Sequence, residues 1–289
     1  MSISIPVNMT ANSIPVGNTP LDLLSDDPRD GRVWVKREDC NPFGTHKDRR
    51  SALIRKEYLE QPPELRPDVL AMISAGNAAR SLRRITKDLP VSVRSLLSFP
   101  SDSYSIRRAL KKLGVDIGKD PVLDRLSSCE IIRLLRHDAG ERIWNVTNGY
   151  EFAYAQIVRE IFEVTEPDTI VCPIGSGELL VGLHRGLTEL GLAGTALVGV
   201  TVERTARSKA KKLEAIVRPY HEQIQEIFGE SFRSRQITMN AKEVLSAIQK
   251  IPKGITAEPS AAVVFGVPER LNFVDRRNIV LINTGKGIV

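Results

Sequence analysis

The segment Lys36-Arg-Glu-Asp-Cys-Asn-Pro-Phe-Gly-Thr-His-Lys-Asp-Arg49 organises the rest of this chain. Apolar residues at 33–35 precede it and predict a short strand. Asparagine, proline and glycine within residues 41–44 predict a turn. Helix-forming residues follow as far as the prolines at 62–63, which end a helix. The segment is therefore predicted to run strand, turn, helix.

Lys47 lies at the start of the predicted helix. Thr45 and Asp48 have the spacing of a capping box, which predicts that the helix begins at His46. The positive end of the helix dipole disfavours a charged amine in the first turn. An amine with a lowered pKa is a nucleophile, and such a lysine typically forms a Schiff base with a carbonyl group. The alternative is a solvated lysine on an amphipathic helix.

Composition is that of an ordinary globular protein, with 289 residues, 42% hydrophobic and 26% charged. This length suits one large domain or two lobes. The net charge is +6, and part of the excess lies in the Arg- and Lys-rich residues 204–212. Without aromatic interleaving or a zinc motif, we interpret these residues as a solvated helix face, so that a nucleic-acid partner is not expected. A basic protein also suits phosphate and carboxylate ligands.

Cysteine usage and the N-terminus bear on location. Cys40, Cys129 and Cys172 are few, odd in number and widely spaced, which favours a reducing compartment and predicts neither a disulfide framework nor a metal site. The first residues lack a basic segment followed by a long apolar run, so no signal peptide is predicted. No stretch has the apolar length of a membrane span. We therefore expect a cytoplasmic protein.

Strands and helices are predicted to alternate, which indicates an α/β fold with a parallel sheet flanked by helices. Residues 1–32 are predicted to form an extended arm, and residues 141–148 to be irregular. Ligands of such folds bind at the carboxyl ends of the strands, where loops 74–77, 175–178 and 283–287 are expected. Strands are predicted at 69–73, 91–97, 114–117, 169–174, 196–202 and 279–282. Helices are predicted at 46–60, 77–88, 102–113, 123–137, 151–164, 179–190, 206–216, 220–228, 241–251 and 258–265.

The loop Pro173-Ile-Gly-Ser-Gly-Glu-Leu179 has the composition of a phosphate cradle. Its glycines allow a sharp turn, and the following helix directs backbone amides and its dipole at an anion. It is neither a P-loop nor a dinucleotide fingerprint, and an ordinary strand-to-helix turn remains the alternative. Glu178 would repel a bound phosphate, so its side chain must point away or pair with a nearby base.

The order of these motifs resembles the tryptophan synthase β-type family of pyridoxal phosphate enzymes, also called fold type II. The motifs are Asn-Pro-x-Gly-Thr-x-Lys-Asp-Arg, Ser-x-Gly-Asn, the glycine-rich loop, Glu-Pro-Ser-Ala-Ala and Thr-Gly-x-Gly. The resemblance covers residues 19–289. It is closest to threonine synthase-like members, whereas His46 resembles tryptophan synthase β chains, in which that histidine helps to hold the cofactor phosphate.

The resemblance implies a role for each matching residue. Lys47 would be the Schiff-base lysine and general base, Asn77 would bind the phenolic oxygen of the cofactor, and the hydroxyl of Thr284 would face the pyridine nitrogen. The backbone amides of the phosphate cradle would be those of Gly175, Ser176, Gly177, Glu178 and Leu179. The substrate carboxylate would be bound by Ser74, Ala75, Gly76 and Asn77.

The resemblance also implies two lobes, with residues 1–46 and 146–289 forming a large cofactor-binding domain and residues 47–145 a small mobile domain. The expected activity is β- or γ-elimination or replacement on a small amino acid, of the threonine synthase, cysteine synthase or Ser/Thr dehydratase kind, in a homodimer. Ala75 departs from the family pattern in the substrate loop. A catalytically silent binder of pyridoxal phosphate or another anion is therefore the alternative. Arg80 could serve an anionic side chain, although we interpret it as an exposed helical arginine.

Overall fold

The computed structural model describes residues 14–27, 31–74, 76–97, 104–117, 142–203, 220–230, 233–271 and 277–287. Within them the strands are β1 Leu21–Asp27, β2 Gly31–Arg37, β3 Val69–Ser74, β4 Ser92–Leu97, β5 Val115–Asp116, β6 Ile143–Asn145, β7 Thr169–Pro173, β8 Ala196–Val202, β9 Arg235–Met239 and β10 Asn278–Asn283. The helices are α1 Lys47–Glu60, α2 Asn77–Ile85, α3 Tyr104–Lys112, α4 Ala155–Phe162, α5 Glu178–Glu189, α6 His221–Glu230, α7 Ala241–Gln249 and α8 Pro259–Ala262.

The larger sheet has six strands in the order β1-β2-β10-β7-β8-β9. Only the β1–β2 pair among them is antiparallel. The central strand β10 has the sequence Asn-Ile-Val-Leu-Ile-Asn and is buried almost throughout. Such a continuous apolar run is typical of a parallel strand that is covered on both faces.

Both faces of this sheet carry a hydrophobic core. Val280 and Ile282 of β10 pack on one face with residues of α4, α5 and α6. Ile279 and Leu281 point to the opposite face and pack with residues 263–271 and with β9. The period-2 alternation of a strand thus divides one apolar sequence between two cores. Helices on both faces confirm the predicted α/β class with parallel-rich sheets.

The smaller sheet has four parallel strands in the order β5-β4-β3-β6. Every residue of β3 is buried. A separate core joins this sheet to α1 and α2 through residues such as Ile54, Leu70 and Leu82. Two separate sheets are what an organisation into two lobes predicts. The limits of the small domain at residues 47 and 145 remain our proposal.

The sequence-based prediction differs from the structure at the weakest strands. β1 lies within the predicted extended arm, β6 lies within the predicted irregular segment, and β9 was not predicted. Each is an outer strand of its sheet, so its sequence mixes polar with apolar residues and lacks a continuous apolar run. The predicted helix 258–265 is the short helix α8 followed by a 3-10 turn. The helices predicted at 123–137 and 206–216 lie outside the described residues.

The topology brings the predicted ligand loops together. β10 pairs in parallel with β2 on one side and with β7 on the other, so the segments after all three strands emerge at one edge. These segments carry Lys47, Thr284 and the glycine-rich loop. None of the described helices is long and apolar enough to cross a membrane.

Candidate active site

Lys47 is the first residue of α1, one residue after the predicted start at His46, and the predicted capping box is absent. The hydroxyl of Thr45 accepts a hydrogen bond from the backbone N–H of Lys47 at 3.3 Å. The Asp48 carboxylate accepts from the backbone N–H of Phe43 at 2.7 Å, instead of reaching back to Thr45. Asp48 therefore stabilises the turn before the helix. The bond to the first backbone N–H of the helix comes from Thr45.

The Lys47 amine points at the start of α5. Its Nζ lies 3.1 Å from Oε2 of Glu178 and 3.3 Å from the hydroxyl of Tyr154, and its side chain is 17% exposed. Burial lowers the pKa of Lys47, the Glu178 carboxylate opposes that shift, and the positive charge of Arg50 adds to it. The predicted direction of the shift is confirmed, and burial is its main cause.

Glu178 is held by a group of side chains that we call the site cluster: Lys47, Arg50, Tyr154 and Glu178. Oε2 of Glu178 lies 3.2 Å from Arg50 Nη1 and accepts from the Tyr154 hydroxyl at 3.4 Å. Burial raises the pKa of Glu178, but Lys47 and Arg50 together hold it below its usual value. The sequence left two possibilities for Glu178, and the structure selects pairing with nearby bases.

His46 connects the lysine loop to the segment after β10. Its Nδ1 lies 3.0 Å from the backbone oxygen of Thr284, and its backbone N–H donates to the same oxygen at 3.1 Å. Burial lowers the pKa of His46 to about 3, so the neutral ring donates from Nδ1 and keeps Nε2 as an acceptor.

The lysine loop and the segment after β10 are in direct backbone contact. Gly285, with φ +120°, forms a β-bridge to Thr45. A Cβ atom at Gly285 would lie 2.2 Å from the backbone oxygen of Gly44. Only glycine permits both this backbone conformation and this contact distance. Thr284 is buried beside this contact, close to the lysine loop.

The glycine-rich loop leaves the start of α5 uncapped. Gly177 is the N-cap residue in a left-handed conformation, and as glycine it has no side chain with which to cap this helix. The first amides of an α-helix have no acceptor within the helix, so those of Glu178 and Leu179 are available to an anion. Space is open at Gly175, because a Cβ atom there would meet no atom within 4 Å. Ser176 is half-buried between them.

The predicted substrate loop is tied to the start of α2. Oγ of Ser74 accepts from the backbone N–H of Gly76 at 2.9 Å. The Asn77 amide donates to both carboxylate oxygens of Glu258, at 3.1 and 3.0 Å, and its Oδ1 is buried without a hydrogen-bond partner among the described residues. Ala75 lies outside the described residues.

Arg80 is buried, which corrects its interpretation as an exposed helical arginine. Its guanidinium donates to the backbone oxygens of Phe43, Lys286 and Gly287 at 3.0–3.2 Å. Arg80 thus joins α2 to the lysine loop and to the segment after β10. Both terminal nitrogens of its guanidinium are engaged by these backbone carbonyls, and its Nε has no partner among the described residues.

The structure brings Lys47, His46, Thr284 and the start of α5 together, and it links Asn77 to them indirectly. Glu258, the partner of Asn77, donates its backbone N–H to the oxygen of Gly285 at 3.0 Å. The sequence analysis gave no role to Arg50, Tyr154 or Glu258. Arg50 follows Lys47 by three residues, so helical spacing could have indicated that both share one face.

Comparison with known proteins identifies the class. The sequence profile of the family "Pyridoxal-phosphate dependent enzyme" matches residues 13–285, so the chain belongs to this family. A search of curated protein sequences finds no match. Solved structures share the fold at low identity. Cysteine synthase from Entamoeba histolytica is 20% identical with a TM-score of 0.71, covering 99% of this chain and 91% of that protein.

Further solved structures of the same fold carry other activities. A hydrogen sulfide-producing enzyme from Fusobacterium nucleatum is 17% identical with a TM-score of 0.71, covering 96% of this chain and 99% of that protein. Maize serine racemase is 16% identical with a TM-score of 0.69, covering 95% and 89%. These likenesses confirm fold type II, and their range of names leaves the reaction of this chain open.

The residues present fit pyridoxal phosphate, the cofactor of the family. The uncapped start of α5 and the open space at Gly175 suit its phosphate. Oδ1 of Asn77 is a buried acceptor without a donor among the residues that the structure describes. The site cluster also holds one carboxylate against an arginine and a lysine, and this excess of positive charge suits an anionic ligand.

Proposed function

We propose that the protein catalyses β- or γ-elimination or replacement on a small amino acid, with Lys47 as the covalent lysine of the cofactor and as general base. The observation that carries this proposal is the position of the Lys47 amine. It is largely buried, has a lowered pKa, and lies beside the uncapped helix start that suits a phosphate.

The proposed roles of the surrounding residues follow from their contacts. The amides of residues 175–179 bind the phosphate. His46 is neutral, and because Thr284 engages Nδ1, Nε2 is the ring nitrogen that we assign to the phosphate. The Thr284 hydroxyl is uncharged, so it does not force a proton onto a pyridine nitrogen placed against it. A milder electron sink of this kind favours elimination or replacement over transamination.

Pyridoxal phosphate supplies a conjugated ring that accepts the electrons left at Cα when a proton is removed. This chain supplies the base for that proton. The Lys47 amine, once free, is uncharged more readily than an exposed lysine because it is buried beside Arg50. The loop at residues 74–77 is proposed to bind the substrate carboxylate, since Gly76 and Asn77 begin α2. Closure of residues 47–145 over the substrate would exclude water.

Several amino-acid substrates remain candidates. Structures of the same fold are named cysteine synthase, threonine deaminase and serine racemase, so their chemistry includes elimination, replacement and proton transfer at Cα. We keep threonine synthase-like, cysteine synthase-like and Ser/Thr dehydratase-like reactions as candidates. We also propose that the protein is a cytoplasmic homodimer. The location is inferred from its cysteine usage, and the dimer is inferred from the family resemblance.

The test is spectroscopic. The purified chain is incubated with pyridoxal phosphate, its visible absorption is recorded, and the sample is reduced with borohydride and analysed by peptide mass spectrometry. We expect a visible band in the wild type, the reduced adduct on the peptide that contains Lys47, and neither in Lys47→Ala. Lys56→Ala, on the exposed surface of the same helix, is the matched control and should behave as the wild type.

A panel of amino acids then identifies the reaction. Addition of a substrate should shift the band and release a keto acid, a replacement product or the opposite enantiomer, which separates elimination, replacement and racemisation. A band that forms on Lys47 but never yields product with any amino acid would favour the catalytically silent binder. A wild type that stays colourless would show that Lys47 has another role.

A further inference from the structure

Glu178 places a carboxylate where a phosphate site would ordinarily have none. It is the first residue of α5, directly after the glycine-rich loop, and its side chain is 1% exposed. Oε2 contacts Lys47, Arg50 and Tyr154 at 3.1–3.4 Å, whereas Oε1 is buried without a partner among the described residues. A charged group in such a place requires an explanation beyond stability.

Arg50 explains how the carboxylate is tolerated. Its Nη1 contacts Glu178, and its Nη2 donates to the backbone oxygens of Val146 and Thr147, so the guanidinium is fixed between two elements. The ring of Tyr150 lies below it, 5.4 Å from its central carbon. Arg50 therefore neutralises the negative charge of Glu178 with a group that cannot easily move away.

Lys47 is the second, movable partner of the same oxygen. Its flexible side chain contacts Glu178 at 3.1 Å and Tyr154 at 3.3 Å. Among the described residues, the titratable and charged groups that face the amine are His46, Arg50, Tyr154 and Glu178. Glu178 is the anion of this set, since Tyr154 is kept neutral by burial, which raises its pKa well above the usual value.

We propose that Glu178 is the positioning residue of Lys47, holding its amine as an ammonium ion in the protein before it has bound the cofactor. This inference rests on the proposed role of Lys47 as the cofactor lysine. Loading then requires the ammonium ion to give up one proton to Glu178 or water. Lys47 would then hold the cofactor through a C=N bond to its aldehyde carbon, with the two remaining amine protons leaving on the carbonyl oxygen as water.

The experiment measures the Lys47 amine directly on the full chain stripped of cofactor. Trace labelling with acetic anhydride is performed over a pH series from neutral to strongly alkaline, and the Lys47 peptide is quantified by mass spectrometry. In Glu178→Gln the pH of half-maximal labelling should fall by about 1 to 3 pH units, because an ammonium ion without its carboxylate loses its proton more readily. An unchanged value would overturn the proposal.

Three further variants keep the result specific. Glu151→Gln removes a neighbouring carboxylate that bonds to Tyr220 and should leave the labelling of Lys47 unchanged. Glu178→Asp keeps the charge and should stay near the wild type. Arg50→Met removes the competing cation and should move the half-labelling pH upward. If Glu178→Gln does not fold, the test is the upward shift in the pH of half-maximal Lys47 labelling that is expected for Arg50→Met. The same half-labelling pH in Arg50→Met and the wild type would overturn the proposal.

A parallel measurement separates this inference from the proposed function. The growth of the visible band on adding pyridoxal phosphate is recorded for the same variants at neutral pH, and Glu178→Gln should develop it faster than the wild type. Bands in all variants with no difference in Lys47 labelling would overturn the role of Glu178 alone. A labelling shift without any band would support the ion pair and contradict Lys47 as the cofactor lysine.

Discussion

Helix α1 contributes to two buried ion clusters that differ in how completely their hydrogen bonds are formed. The site cluster contains Lys47 and Arg50. The second, which we call the anchor cluster, contains Lys36, Glu38, Arg49 and Glu160. All its members are less than 10% exposed. Neighbouring residues of one helix thus supply cations to both clusters, which allows a direct comparison.

The anchor cluster is satisfied on every carboxylate oxygen. Glu38 accepts from Arg49 at 2.7 and 2.8 Å, and also from Thr19 and Asn41. Glu160 accepts from Arg49 at 2.8 Å through both oxygens and lies 2.6 Å from Lys36 Nζ. Two carboxylates balance two cations, so this cluster needs no ligand and fastens residues 17–19 to β2, α1 and α4.

The site cluster is incomplete, both in the hydrogen bonds of its carboxylate oxygens and in the balance of its charges. All three donors converge on one oxygen of Glu178 at longer distances, 3.1–3.4 Å, while its other oxygen and the Nε of Arg50 have no partner among the described residues. One carboxylate faces two cations. A complete buried network of this kind serves stability, and the incomplete one is the site of the binding role that we propose.

The largest effect should come from breaking the anchor cluster. Glu160→Gln leaves Lys36 and Arg49 buried with too little negative charge, and should lower the free energy of unfolding by about 3–5 kcal/mol. Urea denaturation of the full chain measures it. Glu189→Gln, which removes a partly exposed partner of Arg159 and Arg185, should cost about 1 kcal/mol or less. Equal losses would contradict the comparison.

The stability that Glu160 contributes to the anchor cluster should depend on pH in a defined way. Burial alone raises the pKa of Glu160, but its bonds to Arg49 and Lys36 outweigh burial and hold the pKa at about 2, against 4.5 ordinarily. A lowered pKa stabilises the folded state above the unfolded value, and that stabilisation is lost as pH falls through the folded one. The stability difference between the wild type and Glu160→Gln should therefore shrink between about pH 4.5 and 2. A constant difference over this range would refute the assignment.

Breaking the site cluster should lower the free energy of unfolding less than breaking the anchor cluster does. Glu178→Gln should lower the free energy of unfolding by about 1–3 kcal/mol, because Lys47 can release its proton and Arg50 keeps its bonds to two carbonyls. Urea denaturation at neutral pH, run beside Glu160→Gln, gives the ranking. A loss larger than that of Glu160→Gln would mean that Glu178 is primarily a structural residue.

The smallest effect concerns the uncharged member of the site cluster. Tyr154→Phe removes a hydroxyl and keeps the ring that packs in the core, so it should cost about 0.5–1.5 kcal/mol. The pH of half-maximal labelling of Lys47 should move much less than in Glu178→Gln, because no charge is removed. A shift as large as that of Glu178→Gln would assign the control of the amine to Tyr154.

The sequence was sufficient to single out the motifs that the fold brings together, and the roles of their residues stay predictions. A lysine after an Asn-Pro-Phe-Gly turn, and a glycine-rich loop after an apolar strand, each have a local physical signature, and the structure places Lys47 and the start of α5 in contact. Predicted strands such as β3, β7, β8 and β10 are mostly buried and carry nearly continuous apolar runs. The outer strands β1, β6 and β9 lack such runs and escaped prediction.

The sequence was insufficient wherever partners come from distant elements. Glu178 lies 131 residues from Lys47 along the chain, and Glu258 lies 181 residues from Asn77. No local pattern encodes such pairs. The burial of Arg80 likewise depends on carbonyls of residues 43, 286 and 287, so its helix alone indicated an exposed side chain.

The position of β10 has a consequence for how the chain is made. This strand comes last among the described strands, yet it lies between β2 and β7 in the middle of the larger sheet. During synthesis the β1–β2 hairpin leaves the ribosome with the edge of β2 unpaired until β10 has been made. Thr284 and Gly285 arrive with β10, so a nascent chain has Lys47 long before it has a site. The contacts of the lysine loop with Thr284 and Gly285 can therefore form only after translation of this strand.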